Sequence, residues 1–225
     1  MAPFFIIVFS IALLFCPMLL AQQNADDRYL EDQFYVALGY NFLRDRPNSL
    51  IQRNLSYNLQ LGVIKDVPFN AKRNFGLGIG IGYETNSYYS NLIAEEGLNS
   101  IDYRFPISDE TVDRSKFETH AVAFPLELRW RTSTPSSYKF WRIYGGFKME
   151  YLFSRRSKLR GDNDTSFANS DIAQWQYGLT FNFGYNTWNL HLYWALSDFL
   201  EGGTSINSEE LQLKPIRIGV IFYIL

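Results

Sequence analysis

The sequence is poor in the residues on which most site chemistry depends. Its 225 residues include one cysteine, Cys16, and two histidines, His120 and His191. Cys16 lies inside an N-terminal apolar stretch, so the chain left after export has no thiol, no disulfide framework and no thiolate nucleophile. Positive charge is also lacking: 21 Lys and Arg stand against 23 Asp and Glu, a formal net charge of −2. That balance argues against nucleic-acid binding, which needs a basic patch to neutralise phosphates. Beyond residue 21 there is no run of about 18 apolar residues, so no transmembrane helix is expected.

The apolar stretch itself, Pro3 to Leu20, carries no charge and ends in Ala21-Gln22-Gln23. It reads as a signal peptide cut after Ala21, although Met1 to Phe4 lack the usual Lys or Arg. A lipoprotein reading through Cys16 fails, because bulky Phe15 precedes it and Pro17 follows. Residues 1–21 are therefore assigned to export, 22–32 to a polar periplasmic leader, and 33–225 to one domain.

What the sequence does have is aromatic side chains, 19 Phe, 15 Tyr and 5 Trp, at alternate positions. Period-2 alternation is the signature of strands with one apolar and one polar face. Eight such segments are expected, at 33–43, 55–67, 75–89, 117–131, 140–153, 173–186, 188–197 and 211–225. In the sixth, Trp175, Tyr177, Leu179, Phe181, Phe183 and Tyr185 alternate with Gln174, Gln176, Gly178, Thr180, Asn182 and Gly184. The connections after the first, third, fifth and seventh segments are long and polar; those after the second, fourth and sixth are short. A membrane protein without a spanning helix must close its strands into a barrel that pairs every backbone group. Short periplasmic turns and long extracellular loops are the habit of outer-membrane barrels. The expectation is thus an all-β, eight-stranded antiparallel transmembrane β-barrel in the cell outer membrane. Trp130, Trp141, Trp175, Tyr185, Trp188 and Trp194 fall on outward positions near strand ends, where an aromatic girdle would sit.

The third segment holds Gly76, Gly78, Gly80 and Gly82. Alternating apolar residues and the lack of a following helix set aside a phosphate-loop reading. Glycine on one face instead relieves crowding inside a narrow or strongly bent barrel wall, or admits bulky side chains from facing strands. Inward positions elsewhere carry charge: Glu84, Glu127, Arg129, Arg142, Lys148, Glu150 and Arg217. An eight-stranded barrel is just wide enough to be filled by its own side chains, so these groups are expected to neutralise one another in a plugged lumen. The competing reading is a narrow ion path or proton site.

Several phrases resemble the PorT-type outer-membrane β-barrel proteins of Bacteroidetes. They are Asp32-Gln33-Phe34-Tyr35-Val36 with Tyr40-Asn41, Arg53-Asn54-Leu55-Ser56-Tyr57, and Asn86-Ser87-Tyr88-Tyr89-Ser90-Asn91-Leu92. Pro125-Leu126-Glu127-Leu128-Arg129-Trp130-Arg131 and Lys139-Phe140-Trp141-Arg142 extend the likeness over most of the chain. The terminal Leu225 departs from the pattern, since a terminal Phe is common there. The resemblance implies a small porin-like barrel, and for its best-known members a part in the type IX secretion and gliding machinery. A free-standing small porin or a surface and adhesion barrel is the alternative.

No enzyme, cofactor or metal is expected. His120 faces outward as lipid-modifying barrels would require, but Val122 is its same-face neighbour and no Ser or Thr sits two positions away. Asp162-Asn163-Asp164-Thr165 reads as a solvated acidic loop, with Ca²⁺ as the sharper alternative. Arg155, Arg156, Lys158 and Arg160 are placed in an extracellular loop, where simple solubility is the plainer reading and pairing with lipopolysaccharide phosphates the sharper alternative. The expected partners are outer-membrane lipid, lipopolysaccharide and secretion-machinery proteins.

Overall fold

The computed structural model describes residues 33–224, apart from 53, 71, 99, 108–109, 133–138, 162–163 and 207–208. The expected signal peptide (1–21), the leader (22–32), Cys16 and Leu225 lie outside the described residues. No helix among the described residues is long and apolar enough to cross a membrane.

Eight long strands make the wall: β1 Gln33–Arg44, β2 Tyr57–Pro68, β3 Phe75–Ser90, β4 Val112–Arg131, β5 Trp141–Gly161, β6 Trp175–Tyr185, β7 Trp188–Ala195 and β8 Lys214–Ile224. Each pairs antiparallel with its neighbours in sequence, and β1 pairs with β8 from Phe34↔Ile224 to Arg44↔Lys214. That last pairing closes the barrel and leaves no open edge in the wall. Side-chain alternation does the sorting. Along β6 the burial strictly alternates, with Trp175 through Tyr185 out and Gln176 through Gly184 in. Phe34, Leu61, Ile79, Leu128 and Leu190 are each about half exposed on the outer face. A wall that leaves such residues uncovered all round is stable only against hydrocarbon. The eleven residues of β6 rise ~3.3 Å each and, tilted by ~40°, span roughly 25 Å, the height of an outer-membrane apolar band.

The six expected girdle residues lie outward and half exposed. Trp130, Trp141, Tyr185 and Trp188 cluster at the short-turn end, where Trp141 packs 5.1 Å from Tyr185 and Trp188 5.3 Å from Phe222. Trp175, 4.9 Å from Tyr151, and Trp194, under the Arg44 guanidinium, lie toward the long-loop end. The tight turn at 186–187 works because Asn186 takes a positive φ of 55°, a region Asn tolerates better than most residues.

The large differences from the sequence reading lie at the long-loop end. The loop expected at 90–116 begins with a hairpin, Ile93–Glu96 against Ile101–Arg104, and returns its last residues, 112–116, to β4. The charged loop expected at 154–171 is largely strand: β5 runs on to Gly161 and pairs with a short strand, Thr165–Ala168. Arg155, Arg156, Lys158 and Arg160 therefore stand on the wall extension, not in a loop. Charged residues on both strands masked the continuation, because above the apolar band the outward row no longer needs to be apolar. A bulge opposite His120 and Ala121, where Phe153 is the extra residue, also reverses the parity of β5. Below it the even residues Lys148, Glu150 and Leu152 face in; above it the odd residues Ser157 and Leu159 do.

The long loops fold over the barrel mouth instead of standing free. Leu50, Leu92, Tyr103, Ile172, Phe199 and Leu213 come from four different loops. They form one buried apolar cluster with Tyr88, Phe117 and Leu152 of the wall. Phe199 is central, its ring 4.8 Å from Tyr88 and 5.9 Å from Phe117.

Candidate functional site

Below that cap the interior is polar, and its side chains form a continuous chain of contacts along the barrel. At the short-turn end Arg131 Nη2 donates to Asp66 Oδ2 at 2.7 Å, and Asp66 Oδ1 lies 3.5 Å from Arg129 Nη1. Arg129 Nε donates to Glu127 at 3.1 Å, and Glu127 in turn accepts from Asn182 at 3.0 Å. Asn182 Oδ1 is 2.6 Å from His191 Nδ1, and His191 Nε2 is 3.3 Å from Gln60 Nε2. Gln60 Oε1 accepts from Lys148 Nζ at 3.3 Å. Lys148 then binds Glu84 at 2.7 Å and Glu150 at 3.1 Å. Arg217 closes the upper cluster by donating to Glu84 and, at 2.5 and 3.0 Å, to Glu150.

Every strand supplies a member, counting Asn41 of β1, whose amide donates to Asn86 beside Glu84. The donor logic fixes His191. Lys148 can only donate, so Gln60 presents its oxygen to Lys148 and its amide to His191. Asn182 likewise spends its amide on Glu127 and accepts from the ring. His191 is therefore neutral, with its proton on Nδ1.

Of the seven interior charges read from the sequence, Glu84, Lys148, Glu150 and Arg217 form one charge-balanced quartet. Glu127 and Arg129 belong to a second cluster with Asp66 and Arg131. The alternation of β2 and β4, followed to the strand ends, points to both of the last two. Arg142 is the exception. It is buried, donates to the Asn186 carbonyl and lies over the Phe140 ring at 4.1 Å, with no carboxylate partner among the described residues. The β3 glycines make room for this interior. A Cβ on Gly78 would stand 2.5 Å from Arg129 Nε, and one on Gly82 2.1 Å from Tyr35 Oη.

The model of the outer membrane protein β-barrel domain family matches residues 20–201 of the chain. The chain belongs to that family. Its short turns are thus periplasmic, its long loops extracellular, and its wall lies in the outer membrane. No curated protein matches the sequence. Among solved structures, the attachment invasion locus protein of Yersinia pestis is 11% identical with a TM-score of 0.28, the match covering 85% of this chain and 99% of that one. A mutant porin of Rh. blastica is 9% identical with a TM-score of 0.16, over 87% of this chain and all of that one.

On the outer face, His120 sits at the extracellular rim of the apolar band. Its Nδ1 is 2.5 Å from Tyr83 Oη, and Phe153 stacks beside it. Its Nε2 lies 3.8 Å from Glu118, beyond hydrogen-bonding distance, because Lys116 at 2.5 Å and Lys158 at 2.6 Å already hold the two carboxylate oxygens. Burial would raise the Glu118 carboxyl, but those two ammonium groups outweigh it and hold the group at about 2. A relay needs an acid that orients the imidazole, and here the acid is engaged elsewhere. The stretch 162–165 holds Asp162 and Asn163 outside the described residues; Asp164 accepts from the Gly161 amide.

Proposed function

We propose that this outer-membrane barrel neither conducts solutes nor catalyses a reaction, and works through its outer surfaces as a component or accessory of type IX secretion and gliding. The observation that carries this reading is the sealed interior. A charge network drawn from all eight strands lies under a buried apolar cap, which leaves the lipid-facing wall, the extracellular overhang and the periplasmic segment as places to act. The machinery itself is suggested by the PorT-type phrases, Arg53 to Tyr57 and Pro125 to Arg131 among them. Deleting the gene and scoring export of cell-surface proteins and gliding tests the proposal directly. Loss of both, restored by the wild-type gene, supports it; normal export and gliding in the deletion strain sink it.

A second reading, a free-standing surface or adhesion barrel, draws on the extension of β3, β4 and β5 beyond the membrane. It becomes the preferred one if export and gliding survive while attachment of cells to surfaces falls. The small-solute porin reading fits the capped mouth poorly.

A further inference from the structure

Where β4 and β5 rise above the apolar band, their outward rows bring like charges face to face. In the register of the two strands Glu118 lies opposite Arg156, Lys116 opposite Lys158, and Arg114 opposite Arg160. Ser115, Phe117, Ser157 and Leu159 take the inward positions, so all six charged residues share the outer surface. Like charges directly opposite on one sheet face are destabilising, yet two consecutive pairs here are cation on cation.

Glu118, the single anion of the ladder, is used up by the two lysines. Arg114, Arg156 and Arg160 are exposed and have no carboxylate partner among the described residues. Arg156 reaches only the Ser166 hydroxyl at 3.3 Å, and Arg114 lies 5.8 Å over the Tyr89 ring. Asp164, at the flank, spends Oδ1 on a backbone amide. The six ladder positions thus hold five cations and one anion, and even with exposed Asp113 beside Arg114 and Asp164 at the flank the patch keeps excess positive charge on a chain whose net charge is −2.

Height identifies the counter-ion. The ladder starts one outward position above His120, and its remaining four residues up to Arg114 climb roughly 10 Å along the membrane normal. That is the level of the phosphorylated sugars of the outer leaflet, not of its acyl chains. A groove of about 490 Å³ lined by Tyr57, Tyr89, Arg114 and one carboxylate, Asp113, runs beside it on the β2–β3 side. Planar guanidinium groups match phosphate oxygens in pairs.

We infer that the outer face of β4 and β5 above the membrane is a docking site for a phosphorylated outer-leaflet glycolipid, with Arg114, Arg156 and Arg160 holding its phosphate groups. This holds whichever external role the barrel has. Arg155, which the sequence grouped with these residues, takes no part, because it donates to the Ser170 and Ile172 carbonyls that anchor the cap.

The test uses the full chain refolded in neutral detergent and follows the temperature at which the folded gel species is lost. Diphosphorylated lipid A should raise that temperature for the wild type; dephosphorylated lipid A and inorganic phosphate should not. A triple variant, Arg114→Gln, Arg156→Gln and Arg160→Gln, should unfold no earlier than wild type in detergent alone, since the facing Arg114–Arg160 cation pair is gone and none of the three arginines holds a carboxylate among the described residues. It should lose the lipid-dependent shift and bind lipid at least about tenfold more weakly, the loss expected for one charge-assisted contact. If the triple variant does not fold, Arg160→Gln alone should halve the shift or more. An unchanged shift in the variants, or an equal one from the phosphate-free lipid, overturns the inference. So does stabilisation by inorganic phosphate, or by an acidic polypeptide where lipid A gives none.

Discussion

At the scale of single residues, the interior separates charges that look equivalent in the sequence. Arg129 and Arg142 are both buried inward cations, but Arg129 faces Glu127 and Asp66 whereas Arg142 rests on a carbonyl and an aromatic ring. Arg129→Ala strands buried carboxylates and should cost ~3–5 kcal/mol. Arg142→Ala strands a carbonyl and should cost only ~1–3 kcal/mol. The urea midpoints of the two variants check the order; equal losses would mean that Arg142 has a carboxylate partner after all. Parity along a strand tells which residues enter the barrel, so Glu84, Glu127 and Arg217 were legible as interior charges. It is silent on partners, which depend on how strands far apart in sequence meet across the lumen. A second consequence concerns Glu118 on the extracellular overhang. Its carboxyl is held at about 2 against an ordinary 4.5, so the folded state favours the ionised form. The stability it adds is complete above pH 4.5 and is lost as the pH falls towards 2. The difference in urea midpoint between wild type and Glu118→Gln should therefore shrink across that window and be constant above it.

At the scale of elements, the band within the membrane was readable and the part above it was not. Inside the band the outward rows are almost entirely apolar, with Lys65 of β2 the charged exception, so alternation marks the strands clearly; β6, Trp175 to Tyr185, lies within the expected 173–186. Above the band Lys116, Glu118, Arg156 and Lys158 meet headgroups and water, and the same strands read as charged loops. The loops misled in the opposite direction. Residues 91–111 look polar and dispensable, yet Leu92, Ile93 and Tyr103 are buried. Trimming that loop is therefore not neutral, as shortening a loop usually is. Two variants separate the cap from the tip. Phe199→Ala removes the ring between Tyr88 and Phe117 and should cost ~3–5 kcal/mol. Brief trypsin treatment of the inserted variant should nick its extracellular loops and leave the wall fragment intact. Replacing the hairpin tip from Gly97 to Ser100, where Leu98 is fully exposed, should leave the protease pattern of wild type. A cap that stays resistant in Phe199→Ala would mean the loops are held by something other than this cluster.

For the whole molecule, the two layers of the interior make a joint prediction about transport. A pore needs a continuous water path, and here two independent barriers cross it. The upper barrier is largely apolar: side chains from four loops pack on Tyr88, Phe117 and Leu152, and the hydroxyls of Tyr88 and Tyr103 are already bonded to Arg217 and Asn169, which leaves water few partners. The lower barrier is ionic, and its members bridge opposite walls, as Arg217 of β8 does in reaching Glu84 of β3 and Glu150 of β5. Opening that cluster would leave two carboxylates and two cations in a narrow lumen of low dielectric, where an unpaired charge is costly. The barriers are in series, so loosening one should not open the path. Reconstituted in planar bilayers, the wild type should show no steady conductance above the membrane background, and neither should Phe199→Ala, whose lower barrier is untouched. Combining Phe199→Ala with Lys148→Met and Glu84→Gln removes part of both barriers while keeping one cation, Arg217, against one carboxylate, Glu150. If that variant folds, brief ion-scale openings are expected from it and from neither partial variant. A steady, sugar-passing channel in the wild type would refute the sealed interior and restore the porin reading. It would also remove the reason for looking to the outer surfaces for function.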